Sequence, residues 1–281
     1  MHVDKEAIQQ TLGWLTLRKD YAKPARRNLV MQGDGIINQQ LHGRMKVFCN
    51  AQFDERRAFF SAVAVIAAAA VALAAKYQPQ IDPANFQSKI DNRYFPLVPG
   101  TRYEYLETVM GETFSRETTV TSKTKTIMGV KCVIVHDILT ANGEIKEDTY
   151  DWYAQDKQGT VWYFGEATIE MKPGHRRSSA GSWEAGDRGA LPGIVMPGEA
   201  KPSGPYRQEY YPNWAEDMGQ IVAVGETVIV PAGTFTNCLR TKEWSLLESG
   251  GEKRWYAPGV GFVRSEAVGS ELVVLVSIKG P

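Results

Sequence analysis

The chain has 281 residues, with 32 basic and 32 acidic side chains, 43% hydrophobic residues and three cysteines. That length suits one medium domain or two small ones. The balanced charge leaves no basic stripe that could hold a phosphate backbone, which argues against a nucleic-acid partner.

Residues 1–44 are polar and carry no sustained apolar period. They are expected to be a misassigned upstream extension or a disordered arm, because Met45-Lys46 makes a natural start for a signal peptide. Residues 45–75 read as that signal peptide. Arg56-Arg57 precede Ala58–Ala75, eighteen residues without a charge in which only Ser61 is polar, and the run exits through Ala72-Leu73-Ala74. A basic region, an apolar run and a small-residue exit are the layout of an export signal. The arginine pair resembles a twin-arginine signal, with Glu55 at the position of the usual Ser or Thr. The expected address is therefore periplasmic or secreted. The alternative is an N-terminal membrane anchor, since eighteen residues is about the minimum that spans a bilayer. Membrane contact is expected only through this segment. Ten basic and six acidic residues lie in residues 1–75, so residues 76–281 carry a net charge of −4.

Residues 76–281 are expected to form a single β-domain: repeat A over about 100–166, an insertion over 167–202 and repeat B over about 203–278. Asp82 before Pro83 is a plausible N-cap for a short helix over Pro83–Lys89. From Thr101 the pattern turns to period two, as in Thr101–Glu107, which places Tyr103 and Tyr105 on one face. Glu117–Thr126 reads as a solvated strand and Val130–Leu139 as a strong one. Asn142-Gly143 signals a type I′ hairpin before Glu144–Ala154. Gln155–Gly159 turns and Thr160–Gly165 returns, so the first half is a β-meander with no crossover helix. Nine glycines and prolines fall between Pro173 and Gly198, and so long a connection in a compact domain is usually functional or disordered.

The second half repeats the first. Gly100-Thr-Arg-Tyr-Glu-Tyr resembles Gly204-Pro-Tyr-Arg-Gln-Glu-Tyr, Trp152-Tyr153-Ala154 matches Trp255-Tyr256-Ala257, and Gly159-Thr-Val161 matches Gly261-Phe-Val263. Cys132 and Cys238 fall at equivalent places in the two copies. In an exported chain they are expected either to form one disulfide or to be two small buried hydrophobes. The resulting fold class is mainly β: an antiparallel curved sheet or half-barrel built from two meander repeats, with the Gly/Pro-rich insertion covering one side or an open end.

At D-W-Y-A-Q-D…V-W-Y-F-G-E (Asp151–Glu166), G-S-W-E-A-G (Gly181–Gly186), P-G-I-V-M-P (Pro192–Pro197) and Tyr206–Met218 the chain resembles a family of uncharacterised secreted bacterial proteins. The resemblance covers about Ile81 to Ile278 and implies no activity. More distantly, Val230–Cys238 and Tyr256–Val263 resemble half-barrel proteins related to periplasmic lipoprotein carriers. That likeness implies a concave ligand site by analogy of fold.

Catalytic signatures such as G-x-S-x-G, H-E-x-x-H, C-x-x-C and the phosphate-binding glycine loops are missing. Only His136 and His175 remain after residue 75, which excludes a three-histidine metal site within one chain. No metal or cofactor is specified. What stands out is a mixture of carboxylates and rings. Glu147, Asp151, Trp152, Trp162 and Glu166 surround the first meander's last hairpin, and Arg207, Glu209, Glu216 and Asp217 add to them from repeat B. Alternation puts Thr149, Asp151 and Tyr153 on one face, and Trp162, Phe164 and Glu166 on one face of the next strand. These residues are the candidate ligand-binding set. The opposing reading pairs the charges across a solvated sheet.

Three candidate functions fit these features. The first is an exported carrier or binding protein for a small-molecule or lipid-like ligand, which predicts an apolar cavity. The second is a hydrolase or lyase acting through paired carboxylates on a carbohydrate-like substrate. The third is an envelope interaction module, which predicts no cavity.

Overall fold

A computed structural model of the protein describes residues 77–172, 174, 176–267 and 271–281. The expected upstream extension (1–44), the expected signal peptide (45–75) with Cys49, and His175 lie outside the described residues.

Asp82 caps a single 3-10 turn, Pro83–Asn85, its carboxylate accepting from the Ala84 amide at 3.0 Å. The helix expected to reach Lys89 stops there because Phe86 and Gln87 join the sheet instead. The strands in chain order are β1 (Phe86–Gln87), β2 (Ile90–Asn92), β3 (Phe95–Leu97), β4 (Arg102–Val109), β5 (Glu112–Ile127), β6 (Val130–Ala141), β7 (Glu144–Asp156), β8 (Val161–Lys172) and β9 (Arg176–Ser178). Next come β10 (Trp183–Glu184), β11 (Leu191–Met196), β12 (Tyr206–Arg207), β13 (Glu209–Tyr210), β14 (Asp217–Val230), β15 (Gly233–Ser245), β16 (Glu252–Ala257), β17 (Gly261–Ala267) and β18 (Glu271–Lys279). Asn142 and Gly143 both hold positive φ, 53° and 78°, as the hairpin between β6 and β7 requires.

All but β2 and β3 join one antiparallel sheet. Its main path runs β12-β14-β15-β16-β17-β18-β4-β5-β6-β7-β8-β11-β13. The two meanders lie side by side, joined where the last strand, β18, pairs with β4 from Glu271↔Val109 to Lys279↔Arg102. Of the segments matched in sequence, Cys132, Trp152–Ala154 and Val161 lie on β6, β7 and β8, and Cys238, Trp255–Ala257 and Gly261–Val263 on β15, β16 and β17. Gly100–Tyr105 leads into β4, but Gly204–Tyr210 leads into β12 and β13, which take no equivalent place in the sheet.

Because β12 and β13 are consecutive in the chain yet stand at opposite ends of that path, the segment Tyr206–Tyr210 draws the two edges together. Tyr206 and Arg207 pair with Gly219 and Met218 of β14, the Gln208 amide donates to Asp217 O at 2.8 Å, and Glu209 and Tyr210 pair with Pro192 and Leu191 of β11. The curved sheet is thus a nearly closed barrel, with a five-residue seam in place of an open edge. At this seam a β-carbon on Gly193 would sit 2.1 Å from Gln208 O, so only glycine permits the approach.

The insertion does not hang as a loop. It folds along β8, with β9 pairing at Glu170–Lys172, β10 at Gly165–Glu166 and β11 at Val161–Tyr163. Its Trp183 forms a buried cluster with Phe164, Trp152 and Cys132 beneath it. Cys238 belongs to the separate main core with Leu239, Tyr256 and Leu275. Both cysteines are free and buried, so the disulfide is replaced by two packed thiols in different clusters. Burial pushes the Cys132 thiol up to about 12.

The β2–β3 hairpin closes one end of the barrel. Gln155 Oε1 accepts from the amides of Asp91 and Asn92 at 2.9 and 2.8 Å, and Asn92 Nδ2 donates to Gly159 O at 2.8 Å. Phe95 rests on Tyr153, ring centroids 5.2 Å apart.

Gly193→Ala is expected to lower stability by about 2 kcal/mol or more in urea unfolding, because backbone has to move. Gly204→Ala, with nothing within 4 Å of the new methyl, should change it by less than about 0.5 kcal/mol.

Candidate functional site

Between the hairpin plug and the loop after β15 lies a cavity of about 500 Å³. Part of its wall is aromatic and apolar, with Phe95, Leu97, Tyr103, Tyr105 and Val135. Its outer wall includes the exposed Glu248, Ser249 and Gly250 of the β15–β16 loop, so it communicates with solvent there.

The wall carries eleven carboxyl groups. Glu107, Asp137, Glu147, Asp151 and Glu166 come from β4 and β6–β8, Glu209 from the seam, Asp217 from the start of β14, and Glu243, Glu248, Glu252 and Glu271 from the β15–β18 side. Against them stand two cations, Arg116 and Arg254, and eight aromatic rings. Alternation explains how so many charges point inward: Tyr103, Tyr105 and Glu107 share one face of β4, each buried.

Both arginines are spanned by acids. Arg116 Nη2 and Nη1 reach Glu107 and Asp137 at 3.0 and 2.6 Å. Burial alone would depress the Arg116 guanidinium, but Asp137, Glu107 and Glu147 offset this and hold it above its ordinary value. Arg254 Nη2 donates to Glu252 at 2.7 Å, and its Nε lies 3.4 Å from Glu243. Glu243 Oε1 also accepts from Thr241 at 2.7 Å and from the Tyr256 hydroxyl at 3.0 Å.

A third acidic group gathers on a phenol. Asp151 and Glu166 are direct partners across β7 and β8. The Tyr163 hydroxyl donates to Asp151 Oδ1 at 2.7 Å and to Glu166 Oε2 at 3.3 Å. Glu166 was expected to share a face with Trp162 and Phe164. It turns to the lumen with Tyr163 instead, because the register slips between Asp151↔Glu166 and Tyr153↔Tyr163, leaving two residues of β8 opposite Trp152 alone. Gly165 sits in this bulge at φ +117°, under the Trp183 carbonyl.

Burial raises Asp151 to about 7, against the pull of the Tyr163 hydrogen bond. Burial also lifts Glu209 well above the usual carboxylate range, helped by the charges of Asp217, Glu166 and Asp151. Asp217 is raised by burial despite a hydrogen bond from Ser245 and the nearby Arg254.

Of the residues singled out in the sequence, the fold brings Glu147, Asp151, Glu166, Glu209 and Asp217 together on the cavity wall. Four others lie off it. Trp152 packs beneath the insertion with Lys125 Nζ 3.5 Å above its ring, and Trp162 donates from Nε1 to Asp156 at 2.9 Å. Arg207 and Glu216 form their own pair at 3.0 Å, and Glu216 is lowered by the Asn213 amide first and Arg207 second. His136 also lies away from the cavity, bonded to Asp148 at 2.8 Å and stacked on Tyr150. Glu107, Arg116, Asp137, Glu243, Glu252 and Arg254 went unnoticed in the sequence, although the TRYEYLE alternation already placed Glu107 beside Tyr105. Among the described residues no group of three or more His, Cys, Asp or Glu is arranged to hold a metal ion, and no helix is long and apolar enough to cross a membrane.

No protein-family model matches this chain, and none of the curated proteins matches it. Among solved structures it is similar to a protein of Parabacteroides distasonis ATCC 8503, provisionally classed as a lipoprotein. The two share 15% identity over 69% of this chain and 100% of that one, with a TM-score of 0.37. The comparisons assign no family.

Raised carboxyls fix the sign of the pH response. Folded Asp151 binds a proton that the unfolded chain has already lost between about pH 4 and 7, so stability should fall as pH rises through that window. Thermal melts are expected to show a lower Tm at pH 8 than at pH 5. Asp151→Asn should raise stability at both pH values, and by on the order of 2 kcal/mol more at pH 8 than at pH 5.

Proposed function

We propose that this protein is an exported ligand-binding protein whose barrel lumen takes a small organic cation, of the linear diamine or polyamine kind. The observation that carries the reading is the wall itself: eleven carboxyls and eight rings against two arginines, around about 500 Å³. That volume is within the ordinary range for small-molecule sites. Ammonium groups donate to carboxylates, while the methylene chain between them packs on the tyrosine faces, where a cation is also attracted to the rings. The wall chemistry favours such a ligand over a lipid-like one, since an acyl chain offers a carboxyl-lined wall no hydrogen-bond donor. The export part of the reading rests on Arg56-Arg57 and the apolar run Ala58–Ala75.

A second reading, a carboxylate-dependent hydrolase or lyase, is favoured by Asp151 alone. A carboxyl at about 7 has the acidity of a general acid working near neutral pH. It predicts turnover of a glycoside that Asp151→Asn abolishes.

Calorimetry with 1,5-diaminopentane, 1,5-pentanediol and hexanoate tests the first reading. The diamine is expected to bind at least tenfold more tightly than the diol of equal length, and hexanoate not at all. Glu209→Gln should weaken the diamine by about 2 kcal/mol, roughly thirtyfold. Equal binding of diamine and diol, or preference for hexanoate, would overturn the cation reading.

A further inference from the structure

We infer that the ligand of the lumen carries a carboxylate beside one of its ammonium groups, and that Arg254 receives this carboxylate. The ligand class is then a diamino monocarboxylic acid, still a cation overall. This rests on the reading of the lumen as a cation site and deepens it by naming an anionic anchor.

The two arginines of the wall are held differently. Arg116 spends every donor nitrogen on protein: Nε and Nη2 reach Glu107 at 3.1 and 3.0 Å, and Nη1 reaches Asp137 at 2.6 Å. Arg254 spends one, its Nη2 donating to Glu252 at 2.7 Å. Its Nε is buried and lies 3.4 Å from Glu243 without making a hydrogen bond. Glu243 Oε1 is taken instead by Thr241 and the Tyr256 hydroxyl. Among the described residues nothing accepts from Arg254 Nη1. The side chain lines the cavity and is 40% exposed, against 26% for Arg116. A guanidinium does not give up its proton, so these N–H groups need an acceptor once a ligand displaces water from them.

The likeness between the two halves shows what this arginine replaces. Asp137 and Glu243 stand equally far along the chain from Cys132 and Cys238, and each faces an arginine. In the first half that arginine comes from β5, and the lumen residue before Trp152-Tyr153-Ala154 is Asp151. In the second half the lumen residue before Trp255-Tyr256-Ala257 is Arg254 itself. Matched positions on the wall thus carry opposite charge, an acceptor in one half and a donor in the other. A ligand with an ammonium at one end and a carboxylate at the other fits both.

A carboxylate suits this anchor better than a phosphate. Among eleven carboxyls a second negative charge adds repulsion, whereas a carboxylate with an ammonium on the next carbon brings its own compensation. Glu243, Glu248 and Glu252 offer acceptors for that ammonium on the Arg254 side of the lumen. The Phe262 ring, its centroid 5.6 Å from Arg254 Cζ, supports the guanidinium.

The test is calorimetry with L-lysine, L-lysinamide and 1,5-diaminopentane at pH 6, where the amines of all three are protonated. Lysine is the diamine with a carboxylate added next to one amine, and lysinamide keeps that shape without the negative charge. Lysine is expected to bind roughly tenfold more tightly than either, the worth of one charge-assisted hydrogen bond. Arg254→Gln should reverse the order, weakening lysine by about tenfold and tightening the diamine, because Glu243 and Glu252 lose their cation. The comparison of ligands on the unaltered protein stands even where the variant fails to fold. Lysine binding no more tightly than lysinamide would overturn the carboxylate anchor and leave the cation site standing. No binding of any of the three would overturn the cation site, and the anchor with it.

Discussion

Acids that face one another across neighbouring strands repel, and this protein places several such pairs inside a closed wall. Glu243 lies directly opposite Glu252, and Asp151 opposite Glu166. In a half-buried setting each pair costs stability unless something positive stands between its members. Arg254 serves the first pair. Across β4 to β6, Arg116 ties Glu107 to Asp137 in the same way. The Tyr163 hydroxyl lies on both members of the Asp151–Glu166 pair. The rest of the site depends on how these facing acids are held.

The fold is what makes this arrangement persistent. An open sheet would let the acids turn to water. Here the seam Tyr206–Tyr210 joins the two edges, the hairpin plug seals one end, and the insertion covers β8 from outside. Nothing in the packing needs a charged lumen. The main core beneath it is ordinary, with Leu239, Tyr256, Val263 and Leu275 almost fully buried, and apolar residues could continue that core through the barrel. A sequence that departs locally from what stability favours does so most often at functional sites.

The sheet was legible in the sequence because period-two alternation and turn chemistry are local signals. TRYEYLE, VKCVIVHDIL and Asn142-Gly143 each specify their own geometry. The seam was not legible. In the sequence Tyr206–Tyr210 shows only its likeness to Thr101–Tyr105, and only the topology shows that its two ends pair with different neighbours. Half of the candidate site was visible for a related reason. Asp151, Glu209 and Asp217 stood out as carboxylates among rings, but strict alternation put Glu166 on the wrong face, since one extra residue at Phe164–Gly165 resets the phase of β8. Trp152 and Trp162 drew attention by composition and turned out to pack under the insertion and beside Asp156. Arg116 and Arg254 were overlooked because each sits in a polar, unremarkable stretch, and their importance arises only from carboxyls on other strands.

The central question is whether the lumen holds a cation. The most direct measurement is a crystal structure of the protein grown with 1,5-diaminopentane. Density for the diamine is predicted inside the barrel, with one ammonium group within hydrogen-bonding distance of Asp151, Glu166 or Glu209 and its chain against the tyrosines. A lumen occupied by an aliphatic or neutral molecule, with the diamine confined to the outer surface, would contradict a cation site.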